Sequence, residues 1–332
     1  MRRLAVNLIV FLVVFQLTTP AFGWGNNGHK TVGRIADLRL ANTTTMTKIK
    51  AILRPGETLS SIATWADNVK NEDRFSTSAT NQDPDTQDFY RHLVNKHNRE
   101  WHFVDLPLGC SGYTDQRCKK FTSRTDIVQL INLCIRRLRG EVISSNAPQL
   151  TKRNALRLLV HLVGDLHQPL HVGVGFVNVD GPNGKIVFER DPDAILENDF
   201  PSDRGGNSLL IKGEDSDNLH SFWDSDLVED TKGNQTLFEF AESLNTLPTA
   251  AWDPTGNPNT WAAQWAKDTL SVSGVNAYDN TIKIKKEVII DDKTKYTTDK
   301  GSDYTKQNKP IVRQQLAKGG YRLAKLLQAI FP

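Results

Sequence analysis

The run NALRLLVHLVGDLHQPLHVGVGF, residues 154–176, is apolar yet carries three histidines and an aspartate. Imidazole and carboxylate groups are costly to bury unless something holds them, so this run must fold around a partner for those side chains. Its spacing is helical up to Pro169, which cannot continue the hydrogen-bond ladder. Residues four apart on a helix share a face, so His161 and Asp165 project together. His167 lies about 240° round from His161 and points elsewhere. An ideal helix would not bring His171 to the Asp165 face; a break at Pro169 would redirect it.

The same spacing recurs at His220 and Asp224 in NLHSFWDSD. Asp67 in SIATWADNV and His102 in REWHFVDLP also sit among apolar neighbours, and WGNNGH carries His29. Each of these alone reads as a hydrogen-bonded core residue or a helix cap. Together they form a set of imidazoles and carboxylates of the kind that binds zinc.

The chain of 332 residues is long enough for a sizeable core. It opens with Arg2 and Arg3, an apolar stretch from about Leu8 to Leu17, and small residues Ala21 and Gly23. That pattern reads as a cleaved export signal over residues 1–23, too short for a membrane span, with a mature domain over 24–332. Cleavage would leave Trp24 with a free α-amine, whose pKa near 7.7–8 lets a metal displace its proton. Without the two arginines the chain has 39 basic and 38 acidic residues, a net charge of +1. This excludes a global basic field for gripping duplex DNA, so any attraction for phosphate must be local. An oxidising compartment would let Cys110 and Cys118 close the loop CSGYTDQRC, with Cys134 left in an apolar helical run. Helical periodicity covers most of the remaining chain. Strand-like alternation is confined to GKIVFER, SLLIKG and IKIKKEVII. The expectation is one all-α domain with two polar surface insertions, near residues 71–99 and 178–204.

The ordered set formed by Trp24 and His29, WAD at 65–67, WHFVD at 101–105, HLVGDLHQPLH, GGN at 205–207 and HSFWD at 220–224 resembles the type I, single-strand-preferring zinc nucleases, or nuclease/3′-nucleotidases. The resemblance spans the mature chain and implies a mainly α-helical fold with three zinc ions in a cleft. Matched motif by motif, it assigns Asp67, His102, His161 and Asp165 to one zinc. A second takes His171, His220 and Asp224, and a third takes the Trp24 amine and carbonyl, His29 and a shared Asp165. His92, His97 and His167 stay unassigned. The same matching makes Asp67 the residue that orients the attacking water and Lys70 a transition-state cation, where the family often has arginine. It makes Phe103 and Asp105 the base contacts and Asn207 a phosphate or ligand positioner, with Val177 as an opposing wall.

With the export signal and no later apolar segment long enough to span a bilayer, the expectation is an exported enzyme, secreted or periplasmic and monomeric. It would cleave single-stranded DNA and RNA to 5′-phosphate products and dephosphorylate 3′-nucleotides. A zinc-dependent phospholipase C shares the fold and ligand plan and is the alternative enzyme. A metal- or nucleic-acid-binding protein without catalysis is the alternative of another class.

Overall fold

The computed structural model describes residues 24–70, 83–92, 98–211 and 217–332. The helices among them are α1 (Asn26–Leu40), α2 (Thr44–Lys50), α3 (Leu59–Ile62), α4 (Trp65–Asn68), α5 (Pro84–Arg91), α6 (Ile127–Arg139) and α7 (Lys152–Leu166). They continue with α8 (Pro192–Asn198), α9 (Leu219–Ser221), α10 (Leu227–Lys232), α11 (Leu237–Asn245), α12 (Trp261–Val272) and α13 (Tyr304–Ile330). The architecture is mainly α, as expected.

Helix α7 is the centre. Thr151 caps its start by accepting a hydrogen bond from the Asn154 amide, and every residue from Arg153 to Leu166 is buried. A helix shielded on all sides must lie inside a bundle, and α1, α4, α6 and α13 pack around it. Helix α6 starts at the Asp126 cap and stops at Gly140, whose φ of 78° few other residues adopt. Helix α13 starts at Tyr304 and runs through Pro310, six residues into it. Pro310 removes one backbone donor, but buried Tyr304 anchors the first turn by donating to the Ala277 carbonyl and accepting from Trp223.

The sheets are small. Strands β1 (Leu106–Pro107) and β2 (Gly173–Val174) pair in parallel and lock the segment after His102 to the segment after His171. A hairpin joins β3 (Phe176–Gly181) to β4 (Lys185–Glu189), and β5 (Leu209–Ile211) lies parallel to β7 (Lys293–Asp299), itself paired with β6 (Lys283–Ile290). Strands β4, β5 and β6 fall on the three alternating stretches read from sequence. Strand β7, KTKYTTD, does not show there because Lys and Thr fill its outward positions. The expected insertion at 178–204 is the β3–β4 hairpin and α8. Of the insertion at 71–99, residues 71–82 and 93–97, including His97, lie outside the described residues, and α5 occupies much of the rest.

Helix α5 is tied to the bundle by charge. Arg153 of α7 pairs with Glu57, Asp83 and Asp85, while Arg157 reaches Asp83 at 2.5 Å and lies 5.0 Å over the Trp65 ring. Trp65 in turn donates to Thr86 of α5. This clamp seats the WAD turn against α7. Among the described residues no helix is long and apolar enough to cross a membrane. Cys110 and Cys118 form a disulfide, and Cys134 is a buried free thiol in α6.

Candidate metal centre

His161 and Asp165 project from one face of α7, with Nε2 and Oδ2 3.0 Å apart. His102 ends a short 3-10 turn, Arg99–His102, and brings Nδ1 to 2.9 Å from Asp165 Oδ2 and 3.1 Å from His161 Nε2. Asp67 on α4 places Oδ1 3.5 Å from His161 Nε2 and 4.0 Å from His102 Nδ1. From α1, His29 stacks on the His161 ring at 3.8 Å and sets Nε2 3.2 Å from Asp165 Oδ1. Asp165 therefore faces two groups, one with each oxygen. Gly164 makes room for this, since a Cβ there would lie 2.8 Å from His29 Nδ1.

Helix α7 ends at Leu166, and the turn Pro169–His171 swings His171 back until Nδ1 is 3.8 Å from Asp165 Oδ1. The His171 and His220 rings are 5.0 Å apart, and His220 Nε2 is 3.3 Å from Asp224 Oδ2. Asp224 sits on a π-helical turn, Phe222–Asp226, a wide form of helix frequent at functional sites. His29, Asp67, His102, His161, Asp165, His171, His220 and Asp224 are all buried. Trp24 is also buried, and the Gly25 amide donates to the Asp224 carbonyl at 2.7 Å, so the Trp24 backbone lies beside the same cluster.

The tautomers show what the cluster is for. His161, His171 and His220 place Nδ1 2.6–2.7 Å from the carbonyls of Ala63, His102 and Gly205. A carbonyl only accepts, so Nδ1 carries the proton and Nε2 presents a lone pair. In His161 and His220 that lone pair confronts a carboxylate oxygen at 3.0 and 3.3 Å. Two acceptors so placed in a dry interior require a cation or a further proton between them. The spacings lie near the edge of a zinc tetrahedron, about 3.3 Å at the usual bond lengths. A donor set of five imidazoles and three carboxylates suits zinc better than magnesium. The residues fit the metal.

Electrostatics agree. Burial pushes His102 and His220 down to about 3, which keeps both neutral and able to donate a lone pair. Burial favours a protonated Asp165, but His161, His171 and His29 outweigh it and hold the carboxylate well below the ordinary range. Asp224, facing fewer positive groups, is driven well above that range by burial although Gln168 donates to it.

A cleft of about 420 Å³ opens over the cluster, lined by Lys70, Arg99, His102, Phe103, Asp105, Leu170, His171, Arg204, Asn207 and His220. Lys70 is 2.8 Å from Asp67 Oδ1. Burial pushes Asp105 up to about 6, with Arg204 opposing. Of the substrate contacts expected from sequence, Phe103, Asp105 and Asn207 line this cleft. Val177 does not: it is 1 % exposed on β3, packed into the core, and its amide donates to the Pro201 carbonyl. The β3–β4 hairpin turns that position inward and leaves the wall to Leu170 and Arg204. His167 is away from the cluster, donating from Nδ1 to the Val163 carbonyl and accepting from Arg322 at Nε2. Exposed His92 sits at the end of α5 with Nδ1 against the Asp88 carbonyl.

Sequence reasoning missed Gln168, which donates to Asp224 Oδ1 at 2.6 Å and so aims the other oxygen at His220. It also missed Arg99 and Arg204. All three stand inside or beside motifs that sequence reading had singled out, but an amide or a guanidinium gives no ligand signal of its own.

Fold and site together define a mainly helical protein with buried histidine and aspartate groups able to hold metal at the floor of a cleft lined by Lys70, Arg99, Arg204 and Phe103. The family model for S1/P1 nuclease matches residues 24–332, and the chain belongs to that family. It is 27% identical to Nuclease S1 of Aspergillus oryzae over 334 residues, covering 96% of this chain and 94% of that one. It is 26% identical to Endonuclease 4 of Arabidopsis thaliana, covering 96% and 93%. It is also 26% identical to Nuclease P1 of Penicillium citrinum, covering 92% and 97%.

Proposed function

We propose that the chain is a zinc-dependent endonuclease acting on single-stranded DNA and RNA, exported and trimmed to Trp24–Pro332, monomeric, with three zinc ions. The observation that carries this reading is the set of opposed acceptors on His161, Asp165, His220 and Asp224, beneath a cleft that also holds Phe103 and Asp105. One zinc takes Asp67, His102, His161 and Asp165; a second takes His171, His220 and Asp224. The third takes the Trp24 amine and carbonyl, His29 and the shared Asp165. The disulfide supports an oxidising compartment, and the family match from Trp24 onward supports the trimmed start.

Bound zinc supplies Lewis-acid neutralisation of a phosphodiester and lowers the pKa of a water to near 7. The chain's own residues do the rest. Asp67, held anionic chiefly by Lys70 against the effect of its burial, accepts a proton from the attacking water and orients it. Lys70 adds positive charge where negative charge builds on the phosphoryl oxygens, as a point charge without the two-pronged grip of arginine. Phe103 stacks on an unpaired base, an interaction of about 1–3 kcal/mol that tolerates any base, and Asp105 accepts from that base's edge. A paired, stacked base cannot enter a cleft of this size, which accounts for the single-strand preference. Asn207 positions phosphate, its amide donating to the Arg204 carbonyl at 2.8 Å. The leaving 3′-oxygen departs on the side of His171, His220 and Asp224, which gives 5′-phosphate products and extends to 3′-nucleotides. Nothing in the lining favours a lipid headgroup over a base.

Purified protein should hydrolyse single-stranded DNA and RNA far faster than duplex, release 3′-phosphate from 3′-AMP, and leave phosphatidylcholine intact. Chelation should abolish these activities and zinc should restore them. Preferential hydrolysis of phosphatidylcholine, or none of any substrate with zinc bound, would overturn the reading.

A further inference from the structure

Two guanidinium groups in the cleft have no role in the chemistry above. Among the described residues neither Arg99 nor Arg204 has a carboxylate within 4.0 Å, whereas the Lys70 ammonium is 2.8 Å from Asp67. Both are exposed, and exposed arginines are ordinarily solvated surface. Their backbones set these two apart.

Arg204 has φ of 60°, a left-handed conformation uncommon outside glycine and a form of strain that concentrates at functional sites. The loop holds it there: the Arg204 amide donates to Ser202 Oγ at 2.9 Å, and its carbonyl accepts from Asn207. Gly205 follows at φ of 61°, pressed so close that a Cβ would lie 2.3 Å from the Leu170 carbonyl oxygen. Its own carbonyl accepts from His220 Nδ1. The loop that aims a ligand histidine therefore also aims Arg204. Arg99 opens the 3-10 turn that ends in His102, and Asn98 binds it beside Lys70 through two hydrogen bonds, to the Lys70 and Val69 carbonyls. One guanidinium thus belongs to the Lys70 side of the cleft and the other to the Asp105–Asn207 side.

We infer that Arg99 and Arg204 grip the backbone phosphates that flank the cleaved one, making the cleft a strand-binding site instead of a one-phosphate site. This rests on the nuclease reading above. A guanidinium meets phosphate with two parallel hydrogen bonds. With a mature net charge of only +1, the chain has no broad field to hold a polyanion, so local contacts must do it.

The test compares a thymidine octanucleotide with thymidylyl-(3′→5′)-thymidine, which has one phosphodiester and no flanking phosphate. The variants are Arg99→Gln and Arg204→Asn, asparagine being tolerant of left-handed backbone, with Arg99→Lys and Arg204→Lys as charge-preserving partners. Zinc content is measured for each, to confirm an intact cluster. For each neutral variant, kcat/KM on the octanucleotide should fall about tenfold more than on the dinucleotide. The slope of log kcat/KM against log salt should flatten by about 0.7 per arginine removed, and the lysine variants should regain that slope. Equal losses on both substrates, or unchanged octanucleotide cleavage, would overturn the proposal. A wild-type protein that cleaves neither substrate would instead overturn the nuclease reading.

Discussion

Asp165 and His167 are two residues apart, yet one faces His29 and His161 with its two oxygens while the other is sealed against Arg322 and the Val163 carbonyl. Asp165→Asn should cost bound zinc and lower activity by several orders of magnitude. His167→Ala should keep its zinc and most of its activity while losing about 1–3 kcal/mol of stability, because a buried donor and acceptor lose their partner. Metal analysis, rates and denaturant melts on both variants check this, and equal activity losses would contradict the assignment of faces. At this scale the pairings of His161 with Asp165 and of His220 with Asp224 were legible, because four-residue spacing on a helix fixes direction before any tertiary contact exists. Val177 was not legible: whether a strand residue faces a cleft or the core depends on how the hairpin lies, and no local pattern encodes that. Gln168 and Arg204 were hidden for a related reason, since their roles exist only through Asp224 and the loop at 202–207.

At the scale of elements, the clamp between α5 and α7 sets an acid limit on stability. Burial would raise the Asp83 pKa, but hydrogen bonds and charge from Arg157, with Arg153, hold it below its ordinary 3.8. A carboxyl depressed on folding stabilises the fold above its unfolded pKa and loses that contribution as pH falls through the folded value. The melting-temperature gap between wild type and Asp83→Asn should therefore be constant from pH 7 to about 5 and shrink below about pH 4. Calorimetry on the two proteins at matched zinc tests it; a gap that keeps its full neutral-pH size down to pH 2 would mean the clamp is not electrostatic. None of this was readable from sequence, since Arg153 and Arg157 look like surface charges until the helix is seen to be buried on every side. The break at Pro169 was readable, because proline's missing donor acts locally. The helical turn before Pro310 was not, because a proline argues locally against it and the anchoring of Tyr304 is tertiary.

For the molecule as a whole, the Gly25 amide bonded to the Asp224 carbonyl draws the segment at Trp24 to the cluster of histidines and aspartates. A chain beginning at Trp24 should carry three zinc ions. One beginning at Gly23 offers an amide nitrogen at Trp24 in place of an amine, and should hold fewer zinc ions and lose most activity. Mass spectrometry to confirm each terminus, with metal analysis and rates, decides the matter; matching zinc and rates in both chains would remove the amine from the ligand set. The mainly helical character of the fold was legible from periodicity.

The proposed ligands are drawn from both ends of a stretch running from residue 24 to residue 224. Joining them closes loops far longer than the eight-residue separation bridged by Cys110 and Cys118. Loop closure confines the unfolded chain more as the loop lengthens, and a metal bound only by the folded state adds its binding energy to stability. With zinc bound as proposed, the cluster would be a reversible cross-link as well as a reaction centre. Chelator should lower the melting temperature by about 10 °C or more, and limited proteolysis should then cut sites that the loaded protein protects. In a zinc-poor medium the enzyme would be digested rather than merely idle, so metal supply would govern its lifetime along with its rate.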